Sequence, residues 1–83
     1  MLEPLIPREI QESLSQMSDR DRAIVLQRIH DVCSRPQVDN ESTFEIDAGS
    51  FTQRMRIYED YFVLFDVVEV GHEKFVAIYE IGR

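Results

Sequence analysis

The sequence predicts an α+β fold: an N-terminal αα-hairpin over residues 7–34 packed on one face of a three- to four-stranded antiparallel sheet over residues 43–82. Three observations predict it. Apolar residues recur at helical spacing before Pro36, they alternate or run together in β-branched and aromatic stretches after Thr43, and a polar loop separates the two regimes.

Pro7 opens the first helix, because a proline in the first turn lacks only an N–H that would have had no intrahelical partner. Ile10, Leu14 and Met17 follow at i, i+4 and i+7 as a narrow apolar stripe, while Glu9 and Glu12 suit the positive end of the helix dipole. Ser18 restarts the chain. With Asp21 three residues on it forms a variant of the capping box, and Val25, Leu26, Ile29, Val32 and Cys33 give the second helix, Asp19 to Ser34, one apolar face. Arg35-Pro36 ends it, since the residue before a proline is pushed out of the α region. So tight a connection makes the pair an antiparallel hairpin.

Gln37 to Ser42 is a polar surface loop with Asp39-Asn40 as turn formers. Thr43 to Asp47 alternates weakly and reads as a short edge strand, which Ala48-Gly49-Ser50 breaks. From Phe51 onward, Phe51, Met55 and Ile57 are apolar while Arg54 and Arg56 point the other way, the period of two of a half-buried strand. Glu59-Asp60 turns the chain. Tyr61 to Phe65 is apolar on both faces and continues to Val67-Val68, so this strand is expected at the centre of the sheet with cover on each side. Gly71-His72-Glu73 reverses the chain again, and Phe75 to Ile81, with Glu80 near its end, closes a β-meander.

At 83 residues the chain has room for one domain, residues 1–83, with one modest core. Its apolar content of 43% is that of a folded globule, and the longest apolar stretch, Tyr61 to Val68, is broken by Asp66 and too short to span a bilayer. Met1 to Pro7 lacks the basic and apolar regions of a signal peptide, so a cytoplasmic protein is expected. The single cysteine, Cys33, suits a reducing compartment and a buried structural role. Sixteen acidic residues against nine basic ones leave a net charge of −7, which repels nucleic-acid phosphates unless the cations cluster on one face.

Glycine-rich phosphate loops, Cys/His clusters, nucleophile elbows and metal-spaced histidine pairs are all lacking, so neither a cofactor nor a metal is expected. His30 and His72 are isolated, and Glu59-Asp60 reads as a solvated turn. Arg54 and Arg56 are more informative. Two arginines two apart on a strand share a face and could hold a phosphate or carboxylate, or else pair with neighbours such as Glu45 or Asp47; Arg83 could join them.

The order helix, helix, polar loop and meander carries Arg54-Met55-Arg56-Ile57, then Asp60-Tyr61-Phe62-Val63-Leu64-Phe65, then Val76 to Arg83. This pattern resembles the RelE/ParE superfamily of type II toxin–antitoxin systems over residues 7–83. The resemblance implies a helical hairpin against one face of a twisted antiparallel sheet. It also implies that the other face acts on messenger RNA in the ribosome, acts on gyrase, or is blocked by an antitoxin segment. The family's catalytic arginine after the Asp-Tyr pair falls on Phe62, so the group that would stabilise a phosphoryl transition state is replaced. Its paired arginines fall on Arg54 and Arg56 and its terminal basic residue on Arg83, while its C-terminal tyrosine or histidine has no match. Its opening strand is expected to be lacking as well, because Leu2 to Ile6 is short and holds Pro4, which leaves an exposed sheet edge.

These departures and the acidic charge favour a member without ribonuclease activity that binds protein through Phe62, Leu64, Arg54 and Arg56, its partner an antitoxin-like peptide or a second copy in a homodimer. A ribosome-dependent ribonuclease or gyrase inhibitor working through Arg54, Arg56 and Arg83 is the first alternative. A self-associating α+β module of unrelated function is the second.

Overall fold

Pro7 stands at the N-cap of α1 (Arg8–Gln16), and Ser18 at that of α2 (Asp19–Ser34), where its side chain accepts from the Asp21 N–H at 3.1 Å. The computed structural model describes residues 1–47 and 49–83; Ala48, the first residue of the expected break, lies outside the described residues. After α2 the Asp39 carboxylate organises the loop, its Oδ1 accepting from the backbone N–H of Glu41, Ser42 and Thr43 at 2.9 Å each. Asn40 beside it takes φ 61°, the left-handed region that asparagine tolerates better than most residues.

Five strands follow the order β1-β5-β4-β3-β2 in one sheet. They are β1 (Glu3–Leu5), β2 (Thr43–Asp47), β3 (Thr52–Ile57), β4 (Phe62–Val70) and β5 (Glu73–Gly82). β2 to β5 form the expected antiparallel meander. The three- to four-stranded antiparallel sheet of the sequence reading is corrected here, because β1 lies parallel to β5 with Glu3 beside Phe75 and Leu5 beside Ala77, making a mixed sheet of five strands. Pro4 is tolerated because β1 is an edge strand, where a missing N–H costs no ladder bond on the open side. The Leu2 N–H also donates to the Cys33 carbonyl at 3.1 Å and ties the strand to the end of α2.

Both helices lie on one face of the sheet. Leu14, Val25, Ile29, Val32 and Cys33 pack there on Tyr61, Val63, Phe65, Val76 and Ile78, all buried. Each such aliphatic or aromatic side chain contributes about 1.5–3 kcal/mol of burial. Leu26, expected on the same helical face, is instead 45% exposed, being rotated about 100° from Val25. The expectation of cover on both sides of the central strand is also corrected. Among the described residues nothing packs on the outer face, where Ile57 is 52% exposed. No helix among the described residues is long and apolar enough to cross a membrane.

Candidate functional site

Each helix reaches its C-terminus without a basic residue in the last turn, so its final carbonyls need donors from elsewhere. Arginines supply them. Arg22, a turn into α2, folds back so that its guanidinium donates to the carbonyls of Leu14 at 2.8 Å, Met17 at 2.9 Å and Ser15 at 3.3 Å. Arg56 does the same for α2 from across the sheet: it donates to the carbonyls of Asp31 and Gln37, each at 3.4 Å, to that of Arg35, and to Thr43 Oγ1 at 2.5 Å.

Arg56 is only 2% exposed, so the strand faces are the reverse of the alternation reading. Arg54 and Arg56 point toward the helices, while Met55 and Ile57 point away. Burying a guanidinium is tolerated because its donors meet carbonyls, the Thr43 hydroxyl and a carboxylate, Asp31 Oδ2 at 3.4 Å, so that its N–H groups stay hydrogen-bonded. Tyr58 completes the node, its hydroxyl donating to the same Asp31 oxygen at 2.6 Å. Burial pushes the Asp31 carboxyl up, yet the Tyr58 and Arg35 hydrogen bonds outweigh it and hold the group below the usual range. Burial, together with the charge of Asp31, raises the Tyr58 phenol to about 12.

The other expected cations are also engaged by the chain itself. Arg54 donates to the Pro36 carbonyl at 3.0 Å and lies 4.0 Å from Asp66; Glu45 is its cross-strand neighbour, but neither Glu45 nor Asp47 forms an ion pair with these arginines among the described residues. Arg83 stacks on the Tyr61 ring, donates to its hydroxyl at 2.6 Å and sits 3.7 Å from Asp21. Asp21 and Asp31 are ten residues apart on α2, roughly 15 Å along its axis, so Arg83 and Arg56 do not converge on one anion. Asp60, read as a solvated turn residue, takes a bidentate pair from Arg28 at 2.8 and 3.1 Å, which lowers its carboxyl below the usual range.

What remains without a partner is the outer face of the sheet. The register sets Phe44, Met55 and Leu64 in one row and Ile57 and Phe62 in the next, both half-buried or exposed. Phe62 covers Gly82 across the β4–β5 ladder, and a bulge at Leu64/Phe65 skips Tyr79, which stands 41% exposed. Beside it, Leu5, Ile6, Pro7, Ala77, Ile78 and Tyr79 line a shallow apolar groove of about 380 Å³. Phe62 and Leu64 thus share this face, while Arg54 and Arg56 lie behind it.

His30 and His72 are exposed and apart, Cys33 is buried with its thiol pushed up by burial, and no group of His, Cys, Asp and Glu among the described residues is placed to hold a metal. Sequence reasoning missed Arg22, Arg28, Asp31 and Tyr58, and the bare last turns of both helices were the one available signal for the arginine caps. No protein-family model, curated protein or solved structure matches the chain.

Proposed function

We propose that this chain is a RelE/ParE-like protein of a type II toxin–antitoxin system that lacks ribonuclease activity and acts by binding protein through the outer face of its sheet. The observation that carries this reading is the division between the two faces. Arg54 and Arg56 are turned toward the helices, the latter engaged by backbone carbonyls, the Thr43 hydroxyl and Asp31, while Phe44, Met55, Ile57, Phe62 and Leu64 form an uncovered apolar surface. Phosphoryl transfer needs cations aimed at a place where charge develops, and Arg56 and Arg83 are aimed elsewhere. The family part of the reading is supported by the hairpin on one face and by β1, which supplies an opening strand beside the last strand of the meander.

Induced expression in a bacterial host tests it. Growth arrest that is lost in Leu64→Asp but retained in Arg54→Ala and Arg83→Ala, all three folded by circular dichroism, is the expected result. Arrest that depends on Arg54 and comes with cleaved messenger RNA would establish the ribonuclease alternative instead, and no arrest at all would remove the toxin assignment.

A further inference from the structure

The uncovered face carries charge of one sign. Besides its apolar residues, the register places Glu3, Glu73 and Glu80 on it, with Asp66 at its margin 4.0 Å from Arg54. No lysine or arginine shares those positions. The helical and cap arginines lie across the sheet, Arg54, Arg56 and Lys74 occupy helix-facing positions of β3 and β5, and Arg83 is held by Tyr61 and Asp21. None of the nine cations therefore holds an outward position of the strands, Arg54 reaching only Asp66 at the margin, and the net charge of −7 adds a field of the same sign.

Such a face selects its occupant. A second copy would set acid against acid, and phosphate-bearing polymers or anionic lipid would be repelled over the whole approach. We propose that the occupant is a basic amphipathic protein segment, its apolar side on Phe44, Met55, Ile57, Phe62 and Leu64 and a lysine or arginine reaching Glu80 beside that row. This rests on the protein-binding reading and adds the partner's charge and orientation. Glu80 is in register with Leu64, so a cation one strand from the apolar row meets a carboxylate without being drawn out of water.

The probe is an amphipathic leucine–lysine helix peptide, with a leucine–glutamate peptide of the same pattern beside it, titrated onto the full chain at low and physiological salt. Binding of the lysine peptide alone is expected, mapped by amide shifts to β3, β4 and the end of β5. Glu80→Lys should weaken it about fivefold, whereas Glu9→Lys on α1, an equal change in net charge, should weaken it no more than about twofold. Equal effects of the two variants would reduce the binding to net charge and overturn the proposal. A stable dimer through Leu64 in sedimentation would also overturn it while leaving the protein-binding reading in place. If neither peptide binds, the chain stays monomeric and Leu64→Asp is without effect on growth arrest, both readings fall.

Discussion

The outer end of the Phe62 ring covers Gly82 on the neighbouring strand, so closely that a Cβ at position 82 would overlap ring atoms Cε1 and Cζ. A glycine with no side chain to pack is a weak point in a strand, and an aromatic ring laid over it restores the contact. Gly82→Ala should therefore cost about 1 kcal/mol, most of it from swinging the ring aside. The readout is chemical denaturation together with the ring-current shift of the Gly82 α-protons in the parent chain. An unshifted Gly82 resonance would show that the ring lies elsewhere in solution.

Arg56 is a structural cation, and its removal takes the donor from the carbonyls of Arg35 and Gln37 and from the Thr43 hydroxyl, while Asp31 keeps Arg35 and Tyr58. Arg56→Ala should destabilise the chain by about 1–3 kcal/mol, the range for leaving buried carbonyls without a donor. Arg56→Lys should recover part of the loss, since an ammonium cannot span the same fork of acceptors. Arg54→Ala, at a partly exposed site, should cost no more than about 1 kcal/mol. Equal and small losses for Arg54 and Arg56 in urea melts would contradict the burial of Arg56.

Arg22 caps α1 from outside it. Arg22→Ala should release the carbonyls of Leu14, Ser15 and Met17 and lower stability by about 1–2 kcal/mol, with faster amide exchange confined to the end of α1 and the Met17-Ser18 connection. Protection left unchanged there would mean that water serves these carbonyls as well as the guanidinium does.

Acid should act first through Asp39 and Asp60. Asp39 is held well below the usual carboxylate range by the N–H groups of Thr43, Glu41 and Ser42, and Asp60 is lowered by Arg28. Because the folded values are depressed, the unfolded chain takes up protons first as pH falls. Their stabilisation is complete above the ordinary aspartate range near pH 4 and is lost as pH drops through the folded values. Asp39→Ala should lower the melting temperature at neutral pH and flatten this acid limb; thermal melts over a pH series read both.

Tyr58 gives the opposite limb. Its phenol, raised by burial and by Asp31, contributes stability that is whole below about pH 10 and lost as pH rises through about 12. An ultraviolet titration should show a phenolate phase near pH 12 that disappears in Tyr58→Phe, and that variant should lose about 1 kcal/mol, the worth of one hydrogen bond to an oxygen that Arg35 and Arg56 still reach.

The sequence by itself determined the helices, the restart at Ser18, the stop at Pro36 and the meander, because caps, proline geometry and hydrophobic period act over a few residues. Only the tertiary structure decided which side of β3 is inside. An alternation of Met55 and Ile57 with Arg54 and Arg56 defines two faces without saying which one meets the helices, and hydropathy favours the wrong answer. The orphan carbonyls at the end of α2, some twenty residues earlier in the chain, reverse it by giving Arg56 partners that Ile57 could not use. The placement of β1 was settled in the same way. Three residues around a proline have too little local preference to be a strand, and become one only where β5 offers an edge.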